Sequence, residues 1–318
     1  MNIKHMRTYG VLGTAMLLSS CLFISSSWAA TRDVLSFVSL KDKTRPIILM
    51  DTQEKILQKL VISGTKRLSF SWSPDGRSFA YHTNEGGNFD IYVMDVETQT
   101  HRRLTFDGGR DIWPAWSPNG KWISFASNRT EKSDLYRIDV DGGNLIQLTD
   151  GKDCDRSAWS PDSQWIAFTS SASLFVMNAE GKNLRQLTGN APMPACTWSP
   201  DSKQIAFVSN TDIFSIDING KNLRQLTQFN QETFIWDLAW SPSGEWIAYS
   251  LREAARVGFG ASVLCLVNTV DDERGGPLKA TKGLEPSRLG WVPGIELSIS
   301  PSTKKQTTPK SRLKQTSK

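Results

Sequence analysis

The sequence predicts an all-β protein folded as a closed ring of repeated four-stranded sheets, and three observations predict it. The tripeptide Trp-Ser-Pro recurs at Trp72, Trp116, Trp159, Trp198 and Trp240, at spacings of 44, 43, 39 and 42 residues. Between copies lie short runs of β-branched and aromatic residues bounded by turn residues, which is how strands read. The segments outside the five copies supply complementary strands at the same intervals. Four strands per unit of about 42 residues is the pattern of a propeller blade. The expected architecture is a six-bladed β-propeller.

The elements follow in a fixed order, named A to D from the ring axis outward. Each Trp-Ser-Pro ends a strand A. In Ser73-Pro74-Asp75-Gly76, proline presets the second turn position and glycine relieves the last, so the chain turns into strand B. Strand B begins seven residues after each tryptophan, at Phe79, Ile123, Ile166, Ile205 and Ile247. Strand C ends on Asp95, Asp139, Asn178, Asp217 and Asn268. Asp139-Val140-Asp141-Gly142 then reads as the hairpin turn from C to D. Strand D carries Leu104-Thr105, Leu148-Thr149, Leu187-Thr188 and Leu226-Thr227, with Leu278 as a weaker fifth mark. The repeated tryptophan, at one fixed place per blade, is expected to fill the wedge between neighbouring blades with a large apolar ring.

The sixth blade is expected to be closed by strands from both termini. Leu35-Ser36-Phe37, Ile47 to Asp51 and Leu60 fall at the intervals of strands B, C and D, with no strand A before them. A degenerate copy, Trp291-Val292-Pro293-Gly294, follows Trp240 by 51 residues, and Leu289-Gly290-Trp291 can supply the missing strand. Leu297-Ser298-Ile299 competes as a strand B. It starts six residues after Trp291 and not seven, so the N-terminal strand is preferred.

The ends are of a different kind. Lys4 and Arg7, an apolar run from Tyr9 to Ile24 and the small residues of Ser27-Trp28-Ala29 read as a secretory signal peptide over 1–29. Leu18-Ser19-Ser20-Cys21 also fits a lipoprotein box, with Cys21 lipidated. The apolar Leu22-Phe23-Ile24 that follows favours plain export to the periplasm or medium over a lipid anchor. No other apolar run reaches the length of a spanning helix. The propeller is assigned to 33–295 and a disordered basic tail to 301–318. The chain has 37 basic and 32 acidic residues, but eight of the basic ones lie in 1–30 and 301–318, leaving 29 against 32 between them. A slightly acidic body excludes a nucleic-acid-binding role, which needs a basic folded surface. Cys154, Cys196 and Cys265 are an odd set for an exported chain, so they are expected as buried or semi-buried thiols and not as a disulfide framework.

The cycle from Ile166-Ala167-Phe168 through Gly181-Lys182-Asn183-Leu184-Arg185-Gln186-Leu187-Thr188 to Trp198-Ser199-Pro200-Asp201 resembles the WD40-like (PD40) repeat of the periplasmic TolB family. The resemblance covers nearly all of 33–295. It implies a non-catalytic protein-interaction module of the cell envelope, a Pal-like lipoprotein being one kind of partner, met at one mouth of the channel. Family members of that kind place an α/β domain before the propeller. Here the first strand begins within about five residues of the expected cleavage site, so the resemblance carries the ring and the envelope location and not the full role.

Candidate chemistry is sparse. Past the signal only His82 and His101 remain, too few for a zinc or multi-histidine site. Asp139-Val140-Asp141-Gly142 looks like a calcium loop but lacks its closing glutamate, so no cofactor is expected and structural calcium is not supported. No Gly-x-Ser-x-Gly marks a hydrolase. The D-to-A loops should ring one mouth of the channel, opposite the regular Pro-Asp-Gly turns. They carry the candidate partner-binding residues Arg110, Asp111 and Trp113; Asp153, Asp155 and Arg156; and Glu232, Trp236 and Asp237. Asn128, Arg129 and Glu131 of a B-to-C loop share this face. Loops on a rigid scaffold are where binding concentrates. The 251–262 segment reads as the longest B-to-C loop. A monomer that binds an envelope protein is expected. Tryptophan and arginine at a channel mouth also suit a glycan-binding or calcium-dependent glycan-processing propeller, which stands as the alternative.

Overall fold

The computed structural model describes residues 34–41, 44–51, 54–61, 69–189, 195–229, 233–254, 259–270, 274–275 and 284–293. The expected signal peptide, the basic tail and Leu297-Ser298-Ile299 lie outside them. The described residues form six antiparallel four-stranded sheets and no helix. The chain is a six-bladed β-propeller. Blades one to five are named from Trp72, Trp116, Trp159, Trp198 and Trp240. In blade six the order is Pro286–Val292, Val34–Ser39, Ile47–Asp51, Ile56–Leu60, with Leu35 opposite Trp291 and Val34 opposite Val292.

Each blade is local chemistry repeated. Ser73 Oγ donates to Asp75 Oδ1 (2.6 Å) and accepts from the Ser78 amide (2.9 Å), while the Arg77 amide donates to Asp75 Oδ1 (3.1 Å). Ser160 with Asp162 and Ser199 with Asp201 repeat the turn. These bonds hold the Asp75 and Asp201 carboxyls below the usual range. The Asp139 loop is a hairpin turn: Asn144 Nδ2 donates to Asp139 Oδ2 (2.7 Å), and Gly142 donates to the Asp139 carbonyl (2.8 Å). In blade three the equivalent Gly181, at φ +77, passes so close to blade two's Leu148 that a Cβ would lie 2.9 Å from its carbonyl oxygen.

Between blades the core is apolar. Phe79, Ile123, Ile166, Ile205 and Ile247, the first residues of each B run, are fully buried. Each is worth about 1.5–3 kcal/mol relative to exposure. The repeated tryptophans fill the wedges and are tied by their indole N–H groups to the preceding blade. Trp159 donates to the Ala115 carbonyl (3.2 Å) and Ser124 Oγ (3.0 Å), Trp198 to the Ala158 carbonyl (2.9 Å), Trp291 to the Ala239 carbonyl (3.3 Å) and Trp72 to Ser36 Oγ (2.8 Å). Two depart from this: Trp240 donates to the Gly244 carbonyl of its own turn (2.9 Å), and the Trp116 indole N–H meets no acceptor among the described residues.

One element differs from its sequence reading. The 251–262 segment is not a long loop: Trp246–Ala254 and Phe259–Asn268 run as an extended hairpin paired out to Ala254 and Phe259. Leu251 lies opposite Val263 in this pairing.

Candidate functional site at the channel mouth

The site starts from an irregularity in strand A. The pairing of A with B slips between Ile112 and Ala115, between Cys154 and Ser157, between Ile235 and Leu238, and opposite Ser36–Val38 in blade six. A bulge re-aims the side chain it carries. Trp113, Arg156, Asp237 and Arg288, each three residues before its repeated tryptophan, sit at these slips, while Ser69 and Ala195 hold the same offset in blades one and four, just before strands that pair regularly. All six line one axial cavity of about 360 Å³. Trp113 (φ 58) and Arg288 (φ 59) both occupy the left-handed region, which costs a bulky residue energy that its packing must offset.

That packing is a stack across the axis. The Trp113 ring lies between two guanidinium groups, Arg156 Cζ at 4.4 Å and Arg288 Cζ at 4.2 Å from its centroid. The attraction of a cation to an aromatic face holds both arginines there. The Trp113 amide donates to Nδ1 of the buried His82 (3.3 Å), whose ring meets Trp113 edge to face at 5.4 Å. Arg156 also lies 3.7 Å from Asp237 and donates to the Trp236 carbonyl (3.2 Å). Asp237 accepts from the Leu238 and Leu289 amides (3.2 and 3.3 Å). Burial raises its pKa above the usual carboxylate value, and Arg156 opposes that rise.

The structure divides the candidate residues. Trp113, Arg156 and Asp237 belong to the axial layer. Arg110, Asp153, Asp155 and Trp236 are exposed on the rim. Trp236 is 42 % and Phe234 38 % exposed, and with Asp155 they border a groove of about 670 Å³. Asp111 is a correction. Its carboxylate is fully buried and accepts from Arg129 Nη2 through both oxygens (3.0 and 2.9 Å), so it braces a loop and does not face a partner. Burial raises the pKa of Asp111 against the opposing pull of Ser127, Thr105 and Arg129. Arg129 also meets Asp107 at 2.7 Å and lies over the Tyr136 ring at 4.6 Å, which takes it out of the exposed set as well. Glu232 lies outside the described residues.

Sequence reasoning missed Arg288, although its offset from Trp291 equals that of Trp113 from Trp116. No group of three or more histidine, cysteine or carboxylate residues able to hold a metal occurs among the described residues. Cys154 and Cys265 are buried and Cys196 half-buried, all as free thiols. Burial pushes Cys154 and Cys196 up to about 12 and Cys265 to about 11, which leaves them protonated and unreactive at neutral pH. No helix among the described residues is long and apolar enough to cross a membrane.

Comparison with known proteins adds the following. A family model described as the TolB beta propeller domain matches residues 3–173. The crystal structure of TolB from Acinetobacter baumannii superposes with a TM-score of 0.66 at 23% identity, over 82% of this chain and 67% of that one. A chain of the nidogen/laminin complex gives the same TM-score at 11% identity, over 82% of this chain and 99% of that one. At such identities the structural likeness speaks for the fold alone. No curated protein matches the sequence.

Proposed function

Because the chain belongs to the TolB beta propeller domain family, whose model matches more than half of it, we propose that it is an exported, non-catalytic protein-interaction module of the cell envelope. The reading places it in the periplasm as a monomer, with the signal removed after Ala29, and takes a Pal-like lipoprotein as the kind of partner it meets. The observation that carries it is the rim. Exposed Trp236 and Phe234 stand beside the exposed Asp155 and a wide groove, on a ring whose buried Asp90 and Asp111 are committed to braces. Aromatic residues and arginine are the usual anchors of an interface.

The test is capture of envelope proteins by wild type and by Trp236→Ala and Arg110→Ala, both rim positions. Selective loss of one partner in both variants, with unchanged melting temperatures, is the expected result. Identical capture by all three would reject this face. A glycan array read with and without calcium examines the rival reading, in which saturable sugar binding with turnover replaces protein capture. The mass of the mature chain separates cleavage after Ala29 from lipidation at Cys21.

A further inference from the structure

Next to the axial cavity, sharing Trp113 and Arg288 with it, a second cavity of about 340 Å³ opens between loops of blades one, two, five and six. Four guanidinium groups line it, from Arg45, Arg110, Arg252 and Arg288, each on a separate segment of the chain. No carboxylate is among the described residues that line it. Among the described residues, Arg45, Arg110 and Arg288 form no ion pair, whereas Arg103, Arg129 and Arg156 on the same side of the ring each sit against an aspartate. Arg110 and Arg288 are steered instead by aromatic rings, Phe89 at 5.2 Å and Trp113 at 4.2 Å. These rings orient the cations without neutralising them. Like charges gathered in a concave site repel one another and concentrate a positive field there.

The chemistry of the lining selects the ligand. Planar guanidinium forks pair in bidentate fashion with carboxylates and phosphates. Phosphate sites characteristically add a glycine-rich backbone cradle, a helix N-terminus or a lysine, and none of these is among the described lining residues. The volume is at the small end of the range for small-molecule sites, roughly 300–1,000 Å³. Trp236 supplies an apolar wall for a carbon skeleton, while Trp113, its ring held between Arg156 and Arg288, backs the cations. We propose that this cavity binds a small organic anion bearing two or more carboxylates, which pair with Arg110 and Arg288 while its skeleton lies against Trp236. The cavity shares Trp236 with the rim groove and Arg110 with the rim, but binding of a small anion does not depend on protein capture.

Calorimetric titration of the processed protein with tricarballylate tests this. The expected result is a saturable one-to-one heat whose affinity weakens as salt rises. Arg110→Gln and Arg288→Gln should each weaken it about tenfold, the loss of one charged pair worth about 1.4 kcal/mol. Arg288 supports the Trp113 stack, so its variant is read only if its melting temperature holds. Arg110 is exposed, and Arg110→Gln carries the test by itself. Absence of saturable heat, unchanged affinity in Arg110→Gln, or equally tight binding of inorganic phosphate would each overturn the proposal. Partner capture that survives any of these outcomes leaves the protein-interaction reading intact, so the two ideas fail separately.

Discussion

Trp159 and Trp116 occupy the same repeat position but are tied differently. The indole of Trp159 makes two hydrogen bonds to blade two, while the buried Trp116 Nε1 meets no acceptor among the described residues. Phenylalanine removes similar ring volume at both sites, so the difference between the two replacements isolates the hydrogen bonds. Trp159→Phe should cost about 1 kcal/mol more than Trp116→Phe, measured by urea unfolding; equal losses would contradict the account. Asp237 gives a second prediction at this scale. Its folded pKa is raised by burial above the ordinary 3.8. The folded state therefore holds a proton that the unfolded chain releases at lower pH. The stability contributed is complete below 3.8 and is lost as pH rises through the folded value. Asp237→Asn abolishes this titration. The stability of wild type relative to the variant should fall as pH rises from 3.8, and parallel melting curves across that range would refute it. The tryptophans were legible in the sequence because they repeat. The pairing of Asp111 with Arg129 was not, because an acidic residue in a loop looks the same whether it faces water or a buried guanidinium.

Between strands, the Leu-Thr mark turns out to be a fastening. The hydroxyls of Thr105, Thr149, Thr188 and Thr227 accept from the amides of Ile91, Leu135, Leu174 and Ile213, just inside strand C. Three of them donate in turn to aspartates at the start of that strand, Asp90, Asp134 and Asp212. Asp134 also accepts from the Gly151 and Lys152 amides (2.9 and 3.1 Å), so the same carboxylate shapes the following D-to-A loop. Thr149→Val keeps the shape of the side chain and strands both partners. It should cost about 1–3 kcal/mol, with hydrogen exchange quickened first in 149–153; a loss confined to global unfolding would argue against a local fastening. The threonines stand out in the sequence as a repeat. Their aspartates, fifteen residues upstream, keep the same beat and could have been read from it. The bulges in strand A could not, since a register slip leaves no trace in the alternation of apolar residues.

At the scale of the ring, closure rests on Pro286–Val292 lying beside Val34–Ser39, all six of whose residues are buried. Ser36 ties the seam twice, donating to the Gly290 carbonyl (2.7 Å) and accepting from Trp72 of blade one (2.8 Å). A chain ending at residue 284 loses that strand and bares a long apolar edge, which invites pairing with other chains. It should self-associate in light scattering, and a monodisperse folded monomer would show that closure is dispensable. The number of blades, their strand order and the wedge role of the tryptophans were determined by the sequence alone, because each rests on contacts within one repeat or between adjacent repeats, and periodicity records such contacts. The meeting of Trp113, Arg156, Asp237 and Arg288 around one axis, and the gathering of four arginines at its mouth, were decided only by the tertiary structure. Those residues lie far apart in the chain, and their charges acquire neighbours only when six strands converge.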